Sequence, residues 1–478
     1  MLTLRCGDPT IERALEIALE DLVLNIVPLR DGLLEGEAPV FRTGGGYAKP
    51  WTRDAAINVW SGAGLLYPEI ARNTLLATLA RGDDGPRIGA DYDQYWDRII
   101  WTLGAWSLYL FSGDREFLAL ALEAARNTLR SLEETEFSPD VRLFRGPAVY
   151  GDGVAAYPDV YARTVGGHSS ILRWPAANPE TASRPGRGLP MHVLSTNCLY
   201  AYVYDILVAM AQEVGVRPDP RWTTKAEQLR ESIDAHFWIP ERGQYRYLVD
   251  PFGGSDVEEG LGHAFAILFG VADAARRDSV FRAQTITPSG IPCLWPCFDR
   301  YRRDSGYGRH SGTVWPPIQG FWAEAAARYG RADLFERELR TMAERAVRDG
   351  QYFELYHPET GVPYGGLQEW EGRGIVDDWE SRPHQTWSAT AFLRMLFIGL
   401  AGMRFEADAV RFEPLLPPSL EAVDLAGVPY RNATLEISLR GRGNRVEHVL
   451  VNGHEAEAPS IPADATGVQT IAIVLGSG

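Results

Sequence analysis

Two carboxylates set among glycine and aromatic residues are the groups in this sequence best suited to chemistry. The stretch Phe144-Arg145-Gly146-Pro147-Ala148-Val149-Tyr150-Gly151-Asp152-Gly153 places Asp152 between two glycines and near Tyr150 and Tyr157. Small neighbours let a ligand come close to the carboxylate. Apolar neighbours raise its pKa by desolvation, as a general acid requires. An ordinary Asp-Gly turn has the same local sequence. Far along the chain, Tyr352-Phe353-Glu354-Leu355-Tyr356 surrounds Glu354 with aromatics. That is an unusual setting for a loop carboxylate, although a side chain that reaches out to water is the plainer reading. Glu359, Glu369, Glu371 and Glu380 compete with it, and most of them are expected to be solvated. One acid that gives a proton and one base that takes a proton from water make a hydrolytic pair.

Other loops supply groups that could hold a polyhydroxylated ligand. In Tyr47-Ala48-Lys49-Pro50-Trp51-Thr52-Arg53-Asp54, Trp51 offers a flat apolar face. Arg53 and Asp54 donate and accept side by side, as adjacent hydroxyls demand. The alternative is that Asp54 caps the following helix and pairs with Arg53. Asp91-Tyr92-Asp93-Gln94-Tyr95-Trp96-Asp97 contributes Asp93 and Trp96. Arg309-His310-Ser311-Gly312-Thr313-Val314-Trp315-Pro316 contributes His310 and Trp315, and a lone histidine of this kind is more often a structural hydrogen bonder. Gly365-Gly366-Leu367-Gln368 and His384-Gln385-Thr386-Trp387 contribute Gln368 and Trp387, and Tyr150 joins them from beside Asp152. This mixture of polar and aromatic groups suits a carbohydrate. The sequence has no His-Glu-x-x-His, no phosphate-cradling Gly-x-x-x-x-Gly-Lys and no Gly-x-Ser-x-Gly, so neither metal nor cofactor is expected.

The elements that must position these residues read as helices up to about residue 403. Apolar residues recur at three- and four-residue spacing in 11–27, 55–66, 69–81, 95–112, 115–134, 195–214, 222–238, 258–270, 272–281, 314–329, 331–348 and 386–402. Long links at 28–54, 82–94, 135–194, 239–257, 282–313 and 349–385 alternate with short ones. The pattern predicts six helical hairpins with all the long loops at one end. Loops of this length in a compact domain are functional or disordered, and their content favours function. Every candidate residue lies in a long loop or beside its end. After residue 404 the pattern changes to short strands, with Val451-Asn452-Gly453 as a hairpin signal. The expected organisation is a helical domain over 1–403 and a small β-domain over 404–478.

The 478 residues are 45% hydrophobic, enough for one large core and a smaller one. A net charge of -16 repels phosphate backbones and anionic lipids, so neither nucleic acid nor a membrane surface is an expected partner. Cys6, Cys198, Cys293 and Cys297 do not form the paired clusters of a zinc site and are expected to be buried free thiols. No basic stretch followed by an apolar run opens the chain, and nothing approaches 18 unbroken apolar residues. A cytoplasmic location is the simplest expectation.

These motifs resemble the six-hairpin (α/α)6 glycosidases. Trp51-Thr52-Arg53-Asp54 looks like the glucoamylase segment that holds the terminal sugar. Glu354, followed by Leu-Tyr-His-Pro-Glu-Thr-Gly and then His384-Gln385-Thr386-Trp387-Ser388-Ala389, looks like the catalytic-base segment of glucoamylases and trehalases. Arg309 to Pro316 is similar to a segment of glycogen-debranching enzymes. Asp152 lies where these families carry the general acid, which is aspartate in trehalases and in the processing α-glucosidase and mannosylglycerate hydrolase group. The resemblance covers about residues 10–403 and implies a mainly α fold, an (α/α)6 toroid with a small β appendage. It also implies an inverting, exo-acting hydrolase of an α-linked gluco- or manno-configured glycoside, with Asp152 as acid and Glu354 as base. Two other readings use the same toroid. An epimerase or polysaccharide lyase would lean on His168, His263 or His310. A carbohydrate-binding homologue without catalysis would turn Asp152 or Glu354 away from the centre.

Overall fold

The computed structural model describes residues 2–163, 169–179, 188–302, 306–370, 374–376 and 379–476. His168 and Glu371 lie outside the described residues. Among those described, twelve helices stand where the apolar periodicity predicts them. They are α1 Pro9–Leu24, α2 Thr52–Asn58, α3 Pro68–Ala77, α4 Trp101–Ser112, α5 Arg115–Glu136 and α6 Leu194–Val214. The second half comprises α7 Arg221–Phe237, α8 Gly260–Leu268, α9 Ala274–Ala283, α10 Pro316–Arg328, α11 Ala332–Asp349 and α12 Thr386–Arg394. Two of them continue through π turns, α2 over Val59–Ala63 and α12 over Met395–Leu400.

Two kinds of helix sort into two layers. In α10 every residue from Pro316 to Ala327 is buried. In α11 only one stripe is buried, including Phe335, Leu339, Met342 and Ala346, and the charged residues other than Glu338 and Arg345 lie outside it. The buried kind forms an inner ring: α2 packs on α4, α4 on α6, α6 on α8, α8 on α10, α10 on α12, and α12 on α2. The amphipathic kind packs outside it. The result is the (α/α)6 toroid. Helix α6 is 21 residues long and apolar enough on composition to cross a bilayer, and its burial inside this ring accounts for that composition.

Five of the hairpins are consecutive, from α2/α3 to α10/α11. The sixth differs from the sequence expectation, because α1 pairs with α12 and α11 from the other end of the helical region. Asp21 of α1 accepts the Tyr352 N–H at 2.8 Å and holds His384 Nδ1 at 2.7 Å, which ties this seam to the last long loop. The short turns use glycine in the left-handed region, as at Gly113 and Gly215, where the helix must stop and reverse. Helix α4 begins at Trp101 rather than at residue 95. Tyr95 and Trp96 are buried beneath a loop instead, so their apolarity belongs to the core without belonging to a helix.

Of the later strands, Met403–Phe405, Ala409–Phe412 and Ser460–Pro462 form a separate three-stranded sheet, and five others belong to a six-stranded one. Ala422–Tyr430 pairs antiparallel with Ala433–Gly441, which runs parallel to Gly467–Gly476. Alternate residues of the first two strands are buried, as a one-sided sheet requires. Asn452 and Gly453 both have positive φ in the turn between Val451 and His454, the two-residue hairpin that Asn-Gly favours. Thr3–Arg5 also joins this sheet, against Asp424, Leu425 and Ala426. The sheet meets the ring at its short-turn end, where the Arg431 N–H donates to the Phe111 carbonyl at 3.0 Å. All four cysteines are buried and free.

Candidate active site

The inner helices start at the long-loop end, and several of the loops before them enclose a cavity of about 660 Å³. Trp51, Asp93, Asp152 and Gln368 line it, together with Arg309, which sequence reasoning left out of the site. Trp51 stands at the start of α2 in extended conformation and contacts Tyr92 at 5.2 Å between ring centres.

Asp152 is held by a loop that folds back on itself. The Tyr157 hydroxyl donates to the Gly151 carbonyl at 2.5 Å and accepts the Ala148 N–H at 3.1 Å. A Cβ on Gly151 would collide with that hydroxyl, so glycine is required there, whereas a Cβ on Gly153 would meet only the Ser169 carbonyl oxygen, at 3.6 Å. Asp152 Oδ1 is buried and has no hydrogen-bond partner. The expected upward pKa shift is not found. Burial pushes the group up, but the charges of Arg309 and Arg53 and the neighbouring His310 outweigh it and hold Asp152 below the usual carboxylate range. The glycines and apolar neighbours were visible locally, whereas the guanidinium groups come from other loops.

Glu354 is buried next to Arg309 and is not itself in the cavity wall. Arg309 Nη2 lies 3.7 Å from Glu354 Oε1 and its guanidinium stacks 3.9 Å over Trp379. The Tyr47 hydroxyl donates to Oε1 at 3.4 Å; Trp379 Nε1–H and the Arg382 N–H each donate to Oε2 at 3.4 Å. Burial raises the Glu354 pKa, and Arg309 only partly opposes it. The competing Glu369 is not solvated as expected: it is buried and paired with Arg300 and Tyr301.

Several expected ligand contacts take other roles. Arg53 is buried, pairs with Asp97 at 2.7 Å and donates to the Val149 carbonyl at 2.9 Å, so it braces the Asp152 loop. It does not pair with Asp54. Asp54 does not cap α2 either, since the helix starts at Thr52 with no side-chain cap. Both Asp54 oxygens are buried without partners, and burial raises this carboxyl well above its ordinary range. Burial likewise brings Asp97 up to about 7 against the pull of Arg53. Trp96 does not line the cavity: it is fully buried and donates to the Ala148 carbonyl at 2.8 Å. Tyr150 is also fully buried and lies under the cavity rather than in its wall. With His310, Trp315 and Trp387 it makes a row of aromatics, with ring centres 5.3 Å apart for Tyr150–His310, 5.7 Å for Tyr150–Trp315 and 5.0 Å for Trp315–Trp387. His310 Nδ1, Trp315 Nε1 and Trp387 Nε1 are buried without partners. Burial, reinforced by Arg309, lowers His310 to about 3, which leaves it neutral. His263 has both ring nitrogens engaged, by Gln284 and by the Tyr245 carbonyl. Neither histidine suits the carbon–proton abstraction of a lyase or epimerase.

Glu259, at the start of α8, supports the same loop through Ser195. Its Oε2 accepts the Ser195 N–H at 3.0 Å, and Ser195 Oγ accepts the Val149 N–H at 3.3 Å. Burial pushes Glu259 up to about 8, so it is protonated at neutral pH. Unfolded, a glutamate titrates at about 4.3. A raised carboxyl costs the fold nothing below that value, and its cost grows as pH rises towards about 8. Glu259→Gln keeps an acceptor for Ser195 and removes the titration. The wild-type unfolding free energy should therefore fall relative to the variant's between pH 5 and 8, by up to about 1.4 kcal/mol per pH unit, and its Tm should fall with it. Parallel Tm curves for the two proteins would refute this assignment.

Known proteins show the same architecture. The family description "Mannosylglycerate hydrolase MGH1-like glycoside hydrolase domain" matches residues 47–388. No curated protein matches the sequence. Among solved structures, a sialidase superimposes with TM-score 0.68 at 16% identity over 98% of this chain and 41% of its own. The GH78 rhamnosidase of Bacillus sp. GL1 gives 0.57 at 16% identity, over 100% of this chain and 44% of its own. The chain thus spans less than half the length of these two proteins. The GH63 mannosylglycerate hydrolase from Thermus thermophilus, in complex with glucose, gives 0.59 at 16% identity over 80% of this chain and 99% of its own. At such identities the superpositions speak for the fold, and the family match speaks for the chemistry. The chain belongs to the mannosylglycerate hydrolase MGH1-like glycoside hydrolase family, within the six-hairpin glycosidase superfamily.

Proposed function

We propose that this glycoside hydrolase is inverting and exo-acting, on an α-linked gluco- or manno-configured glycoside, with Asp152 as general acid and Glu354 as general base. The observation that carries the reading is that Asp152 and Arg309 line the long-loop cavity that also holds Trp51, Asp93 and Gln368, and that Arg309 in turn lies 3.7 Å from the buried Glu354. Trp51 offers the sugar a stacking face, and Asp93 and Gln368 offer it hydrogen bonds. Asp54, Trp315 and Trp387 carry buried polar atoms with no protein partner, and a buried polar group left unbonded costs about 1–3 kcal/mol. A sugar hydroxyl that reached them would recover part of that cost.

The charge arrangement bears on how the proton is shared. Two carboxylates and one guanidinium leave a single excess negative charge, so the group readily takes up one proton. In the free enzyme Glu354 competes for that proton better than Asp152, because burial raises the one and arginine lowers the other. Turnover needs the proton on Asp152 and a bare Glu354. A bound glycoside favours this state, since it excludes water from Asp152 and offers its bridging oxygen as an acceptor.

The direct test is hydrolysis of a panel of α-linked disaccharides and glycosides, with the anomer of the first-formed sugar read by NMR. The expected result is release of one terminal residue as the β-anomer. Initial release of the α-anomer would mean retention and would remove the base role from Glu354.

A further inference from the structure

The ring has a second cavity, on the far side of an aromatic barrier from the first. Trp60, in the π turn after α2, reaches across the axis to the opposite helices. Its ring centre lies 4.7 Å from that of Phe321 in α10 and 6.3 Å from that of Phe265 in α8. Beyond it is a cavity of about 240 Å³ whose walls include Trp106, Tyr202, Glu324, Arg328, Arg394 and Arg404. On α12, Arg394 follows Trp387 by two helical turns, roughly 10 Å along the axis. The cavity therefore belongs to the short-turn end, next to the strand Met403–Phe405.

Its charge is unusual for a protein of net charge -16. Glu324, 3% exposed, is the buried carboxylate, and it is shared by Arg394 and by Arg328, whose Nη2 lies 2.8 Å away. Arg404 adds a third guanidinium. Its Nε donates to Glu413 at 3.1 Å and its Nη1 to the Ile398 carbonyl at 2.9 Å, but Nη2 is buried with no partner. Glu406, also on the wall, is turned to Arg411 at 2.8 Å. Three guanidinium groups thus share Glu324 and Glu413, and burial, with Arg328 close by, lowers both Arg394 and Arg404. The backbone around it is also irregular. Two of the inner helices that shape this end, α2 and α12, pass through π turns here, and π turns recur at ligand sites. Gly62 in the first of them has φ 129°, and a Cβ there would stand 3.1 Å from Leu393 Cβ. The irregularity is what lets these two helices approach at the cavity.

We infer that this cavity is a second ligand site, for a small phosphorylated sugar. The phosphate would sit on Arg404 and Arg328, and the ring would lie against Trp106 and Tyr202. Its volume is below the roughly 300–1,000 Å³ of pockets for drug-sized ligands, which suits a compact molecule. Arg404 Nη2 is the donor left for the phosphate, and a guanidinium N–H to a phosphate oxygen is a charge-assisted hydrogen bond. The site is independent of the hydrolytic rim and shares none of its residues.

Calorimetric titration with glucose 6-phosphate tests the inference on four proteins: wild type, Arg404→Gln, Ser107→Phe and Trp51→Ala. Ser107 is on the cavity wall, and phenylalanine there fills the space without altering a charge. The expected result is saturable binding by the wild type, at least tenfold weaker binding by Arg404→Gln and Ser107→Phe, and unchanged binding by Trp51→Ala. If Arg404→Gln does not fold, Ser107→Phe decides alone. No saturable binding by the wild type would overturn the inference. So would binding that survives Ser107→Phe and is lost in Trp51→Ala, since that would place the ligand at the rim.

Discussion

Glu354→Gln should lower kcat on an unactivated α-glycoside by roughly 100- to 10,000-fold, the range for loss of a positioned general base. Binding of the sugar, read by calorimetry, should change little. The contacts around Glu354 explain why the fold tolerates the change. Oε2 accepts two N–H donors, from Trp379 and Arg382, and a glutamine oxygen can take both. The new amide then faces the Tyr47 hydroxyl, which can accept as well as donate. What is lost is the ability to take a proton from water. The loss should be equal for substrates with good and poor leaving groups, because the base acts on the nucleophile. Retention of wild-type kcat by a folded variant would unseat Glu354.

For Asp152→Asn the expected signature is selective. An acid helps only where the leaving oxygen needs a proton. A disaccharide should lose roughly 100- to 10,000-fold in kcat, and a nitrophenyl glycoside should lose far less. The pH profile adds a second readout. The wild type should show a bell, with two apparent pKa values belonging to the coupled pair. In the variant only Glu354 must titrate. Since burial raises Glu354, activity on the nitrophenyl substrate should rise with pH through its pKa and then stay level. The falling alkaline limb should vanish. A profile that keeps that limb, or an equal loss on both substrates, would move the acid role to another carboxylate.

The helices were legible because each buries a face whose spacing is written locally. The layers were legible in the same way, since α10 is apolar all round while α11 has one apolar stripe. The alternation of long and short links put Asp152 and Glu354 in long loops, and Arg309, which shares the cavity wall with Asp152, lies 3.7 Å from Glu354. What the sequence hid was set by partners far along the chain. Trp96 has the composition of a sugar-stacking residue, yet its indole is engaged by the Ala148 carbonyl. Arg53 stands beside Asp54 but pairs with Asp97, because helix geometry points adjacent residues in different directions. The sign of the Asp152 shift depends on Arg309, which belongs to a different long loop. Arg309 itself could have been noticed, since it opens the same motif as His310 and a buried pair of carboxylates needs a counter-charge. No local pattern could show that α1 closes the ring against α12.

That closure orders events during folding. Contacts between α1 and α12 join residues near the two ends of the helical region, and loop entropy makes such pairings slow. Five hairpins can assemble from neighbours as the chain emerges from the ribosome, but they make an open spiral with an apolar inner edge. The edge is covered only when α12 is made and α1 docks beside it. The seam carries Asp21, whose bonds to Tyr352 and His384 bracket the loop that holds Glu354. The carboxylate proposed as base is therefore fixed last. A partly made chain with its first five hairpins in place would expose a sticky edge yet lack the geometry to cut a glycoside.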